Sequence, residues 1–60
     1  MHWRHYPAEQ PKRSGYYLVI LIQGNIRWPD VKVWISKKWD MKGEHEQASI
    51  VKWCEIPPWN

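Results

Sequence analysis

Cysteine, glycine and long apolar runs are scarce in this 60-residue chain, and phenylalanine is absent. The single Cys54 excludes an internal disulfide, so we expect a reducing, intracellular setting. The longest apolar run covers residues 16–22, whereas a membrane-spanning helix needs about 20 residues. The first six residues also lack the apolar core of a signal peptide. These absences predict a cytoplasmic protein that makes no membrane contact.

Groups that could bind a metal or perform catalysis are few. The candidates are His2, His5, His45, Cys54, Glu44 and Glu46. Only His2 and His5 have the short spacing of zinc ligands, and a structural zinc site needs four ligands. Cys54 lies in an apolar strand pattern, which indicates a buried side chain. The two glutamates flank His45 in a polar segment, where charged side chains are normally solvated. We therefore predict no metal, no cofactor and no enzymatic activity.

The aromatic content comes from six tryptophans and three tyrosines. A chain of this length buries only about 60% of its unfolded surface, so its stability is marginal. Each large ring buries about 150–250 Å². At about 25 cal/mol per Å², a few buried tryptophans contribute several kcal/mol. We therefore expect most of the tryptophans to lie in the core.

Two of the three glycines, Gly15 and Gly24, enclose the most apolar segment, residues 16–22. The segment is short and rich in β-branched and aromatic residues, which predicts a central strand buried on both faces. Gly24 and Asn25 both tolerate positive φ and predict a turn. Pro29 cannot donate to a strand ladder, so it predicts a loop or an edge position.

Residues 31–36 alternate, which predicts a strand with Val31, Val33 and Ile35 on its buried face. Lys32 and Trp34 then lie on the opposite, exposed face. A turn at 37–38, a short strand at 39–41, a polar loop at 42–48 and a last strand at 49–56 follow. The chain is therefore predicted to be one mainly β domain, a three- to four-stranded antiparallel meander that is either SH3-like or open. An irregular segment at 1–14 precedes the sheet at 15–56, and a proline-rich tail occupies 57–60.

The order and spacing of Trp, Pro and Gly also match a known pattern over nearly the whole chain. The residues concerned are Trp3, Pro7, Gly15, Leu18, Val19, Gly24, Trp34, Trp39 and the closing run Ile50-Val51-Lys52-Trp53-Cys54-Glu55-Ile56-Pro57-Pro58. They resemble domain-of-unknown-function family 551, a set of small proteins common in bacteriophages and prophages. The resemblance implies a phage or prophage origin, a small β-rich fold and no known enzymatic activity. It also implies the cytoplasm of an infected or lysogenic bacterium as the location, and it carries over no functional residues.

A non-enzymatic protein-binding module is the function that we expect. Exposed tryptophans are enriched at binding hot spots, and open strand edges can pair with a partner or with a second copy as a homodimer. The residues predicted to contact the partner are Trp28, Trp34 and Trp59. The family resemblance suggests a host or phage protein as the partner, such as a component of a host defence machine like CRISPR.

Nucleic-acid binding is the alternative. The chain has a net charge of +3, and basic and aromatic residues interleave between positions 27 and 42. The basic residues that this hypothesis uses are Arg27, Lys32, Lys37, Lys38 and Lys42. A ring beside ammonium groups on one sheet face is typical of surfaces that bind single strands. The other interpretation of the same pattern is a solvated face on which Trp34 packs under lysine stems.

Overall fold

A computed structural model describes residues 2–57, which form one five-stranded antiparallel sheet. The strands are β1 (Arg4–His5), β2 (Gly15–Gln23), β3 (Ile26–Ile35), β4 (Lys38–Trp39) and β5 (Ser49–Glu55). Their order across the sheet is β1-β5-β2-β3-β4, so the apolar β2 is central, as predicted. The prediction of a small, mainly β, antiparallel protein is confirmed. Within these residues no helix is long and apolar enough to cross a membrane.

The sheet has five strands where three or four were predicted, and its order departs from the predicted meander at β5. β2, β3 and β4 form a meander, whereas β5 pairs with the opposite side of β2. The segment predicted to be irregular contains β1, which pairs with β5 through Arg4 opposite Trp53. A two-residue strand is too short to show a periodic pattern, so only the partner strand reveals it. Of the predicted tail, residues 58–60 lie outside the described part of the chain.

Two tight turns set the register of the β2-β3-β4 meander. Gly24 has a φ of 60° in the predicted turn, which places Gln23 opposite Ile26. The second turn uses Ser36 and Lys37, with φ values of 54° and 62°, one residue earlier than predicted. Two consecutive residues with positive φ form the primed type of turn whose twist suits a hairpin.

β3 runs without a break through Pro29, which lies opposite Ile20 of β2. In a two-residue hairpin the pair next to the turn is hydrogen-bonded, and bonded and non-bonded pairs then alternate along the strands. Counting from Gln23 and Ile26 places Pro29 in a non-bonded pair, so its nitrogen points away from β2. The predicted edge position of Pro29 is therefore confirmed, and the alternative of a loop is wrong.

The core lies on one face of the sheet, which we call the core face. Its buried side chains are Val19, Leu21, Trp34, Trp39, Ala48, Ile50 and Trp53. The prediction for β3 is inverted, because Val31 and Ile35 are 44% and 51% exposed and Trp34 is only 4% exposed. Both side-chain rows of β2 are apolar, so β2 alone did not distinguish the faces. The register places Trp34 opposite Gly15 and Trp39, where its large ring packs on Trp39.

A bulge in β5 changes which of its residues reach the core. Val19 lies opposite Trp53, but after a register shift Leu21 lies opposite Ile50. Strict alternation predicts Ile50 on the same face as Lys52 and Cys54, and that prediction is wrong. Because a bulge inserts one extra residue, Ile50 and Trp53 both contribute to the buried cluster.

Candidate binding face

Two segments of the chain cover the aromatic cluster on the core face. Tyr6 packs its ring edge-on against Trp34 and Trp39, with centroid distances of 5.9 and 5.8 Å. The indole Nε1 of Trp53 donates a hydrogen bond to the Glu9 carbonyl at 2.9 Å. On the other side of the cluster, Ala48 from the loop between β4 and β5 is buried. Trp34 therefore belongs to the core, where a partner cannot reach it.

An ion pair holds the loop between β4 and β5 to the sheet. The Lys32 ammonium donates to the Glu44 carboxylate at 2.6 Å and lies 3.7 Å from the Asp30 carboxylate. Only 12% of the Lys32 side chain and 17% of the Glu44 side chain are exposed. The hydrogen bond to Glu44 raises the pKa of Lys32 above its ordinary value of 10.5. Lys32 thus has an internal partner, which removes it from the predicted nucleic-acid surface.

We expect Glu44→Gln to destabilise the fold by about 1–3 kcal/mol, because the substitution leaves a nearly buried ammonium without its charged partner. The raised pKa means that the ion pair stabilises the protein fully below pH 10.5 and that this stabilisation is lost as pH rises through the folded-state value. The difference between wild type and variant in urea unfolding is therefore constant near neutrality and shrinks above pH 10.5.

Glu46→Gln is the matched control, because Glu46 is exposed in the same loop. Its unfolding free energy stays within about 0.5 kcal/mol of the wild type. Two results would contradict a stabilising role for the Lys32–Glu44 pair. One is an equal decrease in unfolding free energy for the two variants, and the other is a decrease for Glu44→Gln that is unchanged at high pH.

The opposite side of the sheet, which we call the outer face, is largely apolar, and no strand or helix of residues 2–57 forms a second layer on it. Among its strand residues only Cys54 is buried. The strand residues on it are His5, Tyr16, Leu18, Ile20, Ile22, Arg27, Pro29, Val31, Val33, Ile35, Lys38, Ser49, Lys52 and Cys54. Tyr16 is 69% exposed, and Leu18, Ile20, Ile22 and Val33 are half-buried. The prediction that β2 is buried on both faces therefore holds for its core face only. Continuous apolar surface of this kind marks interaction sites in small proteins.

The outer face carries positive charge and no carboxylate at its strand positions. Arg27, Lys38 and Lys52 lie on it, whereas the two acidic strand residues, Asp30 and Glu55, lie opposite Val19 and Tyr17 on the core face. Within residues 2–57 no carboxylate forms an ion pair with Arg27, Lys38 or Lys52. The face therefore offers an apolar surface with cations that remain available to a partner.

A cleft of about 350 Å³ opens at one end of this face. Its lining consists of Trp3, Ile20, Arg27, Trp28, Pro29 and Lys52. Neither Trp3 nor Trp28 is among the ring-to-ring contacts of the core, which join Tyr6, Tyr17, Trp34, Trp39 and Trp53. Trp3 and Trp28 thus line the cleft, and Trp28, which lies opposite Leu21 in the core-face row, also packs against the core cluster.

The open edge of β3 offers few hydrogen-bond donors to another strand. β4 pairs only with Trp34 and Ile35, so the edge before them is uncovered. Pro29 has no N–H on this edge, and the next outward N–H, that of Val31, already donates to the Asp30 carboxylate at 2.7 Å. Natural sheets use proline and charge in this way against edge-to-edge pairing. A partner is therefore expected on the outer face and not along the β3 edge.

The residues predicted to bind a partner or nucleic acid are dispersed by the fold. Trp28 lines the cleft, whereas Trp59 lies outside the described residues. Arg27 and Lys38 lie on the outer face, while Lys37 and Lys42 are exposed in a turn and a loop. Sequence reasoning missed Trp3 and Lys52, which the strand register brings to the cleft. The only sequence signal for Lys52 is its alternating row with Cys54, which places the two side chains on the same face of the strand.

The histidines, Cys54, Glu44 and Glu46 are the candidate catalytic and metal-binding residues of the sequence. Cys54 is 1% exposed, as predicted for a structural side chain, and burial raises the pKa of its thiol. Among residues 2–57 no group of three or more His, Cys, Asp or Glu side chains lies together. A groove of about 780 Å³ next to Arg4 contains both signs of charge, and Arg4 is held there by Glu9 at 3.0 Å and Glu55 at 3.7 Å.

Comparison of the chain with protein-family models, with curated proteins and with solved structures found no match. Membership of family 551 and an SH3-like fold therefore remain predictions. The outer face and its cleft are therefore the features of this chain that point to a function.

Proposed function

We propose that the protein is a non-enzymatic binding module that engages a protein partner with the outer face. The observation that carries this proposal is the apolar surface formed by β2 and β3, which includes Val31 at 44% and Ile35 at 51% exposure. Sheets that pack face to face bury such side chains between two layers about 10 Å apart. The missing second layer is the surface that a partner would supply.

The shape and chemistry of the face favour a protein over nucleic acid. The middle of the face consists of aliphatic side chains, including Leu18, Ile20 and Val33. Single-stranded nucleic acid binds through successive bases stacked on aromatic rings, and aliphatic side chains do not stack in this way. The family resemblance suggests that the partner is a host or phage protein, with a host defence machine as one example.

The test combines affinity capture with a variant that changes only the chemistry of the face. Ile20→Thr with Val31→Thr keeps β-branched side chains in the strands but makes the face polar. The tagged wild type and variant are each incubated with a nuclease-treated bacterial lysate, and retained proteins are quantified by mass spectrometry. We expect a protein retained by the wild type to be reduced about tenfold or more by the variant, because two apolar contacts are lost.

Ile26→Thr is the matched control, because Ile26 is 66% exposed but belongs to the row opposite the outer face. It removes a similar exposed side chain and retains the same protein at the wild-type level. The proposal fails if the wild type retains no protein from the nuclease-treated lysate, or if the face variant retains as much as the wild type.

A further inference from the structure

We infer that the partner presents an acidic and apolar polypeptide segment to the cleft, with a carboxylate close to a large apolar side chain. This inference deepens the proposed function and rests on it. The cleft joins two indoles, an aliphatic floor and two cations in one concavity. A ligand that satisfies all three features combines apolar surface with negative charge.

Arg27 and Lys52 differ from Arg4 and Lys32 in having no carboxylate partner within residues 2–57, and they differ from the remaining cations in lining the cleft. Arg4 lies 5.5 Å from the Trp53 ring and is paired with Glu9 and Glu55, and Lys32 is paired with Glu44. Arg4 and Lys32 are thus already paired with internal carboxylates and are less available to a ligand. By contrast, no carboxylate of residues 2–57 pairs with either cation of the cleft. An incoming carboxylate would form charge-assisted hydrogen bonds there, which are stronger than neutral ones.

The apolar part of the cleft specifies the other half of the ligand. Ile20 and Pro29 lie opposite each other in the strand register, and the half-buried Trp3 and Trp28 complete the lining. Tryptophans in such concavities are typical anchors, and they pair with large apolar or aromatic side chains of the partner. Exclusion of water by that side chain also strengthens the adjacent ion pair, because the effective dielectric constant falls.

Two other occupants of the face fit less well. A second copy in a two-fold dimer would present the same surface, including its own cations and a net charge of +3, and no carboxylate at strand positions. A nucleic acid would match the charge but would leave the aliphatic surface beyond the cleft without stacking contacts. An acidic, apolar protein segment matches both the charge and the surface.

The experiment uses a display library of random peptides of about 12 residues, selected on the full chain. The length allows a segment to cover the cleft and the adjacent aliphatic surface, since an extended chain spans about 3.3 Å per residue. We expect the selected peptides to be enriched in Asp or Glu within two residues of Trp, Phe, Leu or Ile. A synthetic selected peptide is then titrated with the purified protein, and its affinity decreases as salt increases.

The variant Arg27→Gln with Lys52→Gln removes the two charges but keeps hydrogen-bonding side chains. We expect it to weaken the peptide about tenfold or more, because two charge-assisted bonds are lost. Lys37→Gln with Lys42→Gln makes the same change in net charge away from the cleft and alters the affinity less than about twofold. Far-UV circular dichroism checks that both variants are folded.

The outcomes separate this inference from the proposed function. If the selected peptides are not enriched in acidic residues, or if they bind the Arg27→Gln, Lys52→Gln variant as tightly as the wild type, the partner is not acidic. Either result is still compatible with a protein-binding outer face. Failure to select any peptide also overturns the inference, while the capture experiment with the Ile20 and Val31 variant still tests the face. Binding of a 20-nucleotide oligonucleotide that depends on Arg27 and Lys52, or self-association that depends on Val31, would identify a different occupant.

Discussion

Trp34→Ala is expected to destabilise the protein severely, whereas Ile35→Ala leaves its stability near that of the wild type. Trp34 is 4% exposed and contacts both Tyr6 and Trp39, so its removal opens a cavity in the centre of the core. Truncation of a buried tryptophan to alanine costs about 3–5 kcal/mol. A domain of this size has a total stability of about 3–9 kcal/mol at 0.05–0.15 kcal/mol per residue. The expected decrease in unfolding free energy is thus a large fraction of the total stability, and the unfolding midpoint in urea decreases accordingly.

Ile35 is the matched control because it is the next residue of β3 and is 51% exposed on the outer face. Both substitutions introduce alanine into the same strand, so the loss of β-propensity, at most about 1 kcal/mol, is common to them. Urea unfolding is followed by far-UV circular dichroism, because removal of a tryptophan changes the fluorescence itself. A larger loss for Ile35→Ala than for Trp34→Ala would show that Trp34 lies on the exposed face, as simple alternation predicts.

Pro29→Thr with Asp30→Thr is expected to make the chain associate through the β3 edge. The first change restores an outward N–H, and the second releases the Val31 N–H from the carboxylate 2.7 Å away. Each added backbone hydrogen bond contributes about 0.5–1.5 kcal/mol. An antiparallel pair of edges uses each donor twice, so self-association strengthens about tenfold or more at equal protein concentration. Sedimentation velocity and thioflavin T fluorescence measure the change.

The control for this edge is Pro29→Thr with Asp30→Asn. An asparagine at position 30 removes the charge but keeps a side-chain oxygen that can accept the Val31 N–H. We expect this protein to associate less than the variant with threonine at both positions. If the two variants behave alike, the negative charge of Asp30 protects the edge and the hydrogen bond does not. If neither associates more than the wild type, the edge is protected by other means.

The two proposals assign different tasks to the two faces of one sheet. The core face provides stability through a cluster of aromatic rings, in which Tyr17 also packs edge-on against Trp39 and Trp53 at 6.0 and 5.3 Å. The exposed side chains of the outer face, such as Val31 and Ile35, lie outside that cluster and so can be changed without loss of the fold. This separation allows binding variants such as Val31→Thr to be interpreted without a large correction for stability.

The central strand could be recognised from the sequence for a local reason. Glycines at 15 and 24 and a short apolar run between them are features of neighbouring residues, and neighbouring residues determine strands and tight turns. The burial of Cys54 could also be predicted locally, because it lies in the middle of an apolar strand segment beside Trp53. The absence of a second cysteine excluded an internal disulfide without any structure.

The faces of the sheet could not be assigned in this way. Alternation in residues 31–36 shows which side chains share a face but not which face is inside, and both rows of β2 are apolar. A hairpin turn that begins one residue earlier than predicted and a bulge at β5 then change the partners of Trp39 and Ile50. Sequence patterns carry no direct information on such pairings, because the residues involved are far apart along the chain.

A small, mainly β chain with a central apolar strand, one free thiol and a tryptophan-rich core could be inferred from the amino-acid sequence. Local propensity and hydrophobic pattern are sufficient for these properties, since each depends on residues close together in the chain. The inward orientation of Trp34 and Lys32, and the cleft that brings Trp3, Arg27 and Lys52 together, depend on strand pairing. The physical reason is that strand register, set by two turns and a bulge, brings distant residues onto a common face, and a shift of one residue reverses the face of every side chain.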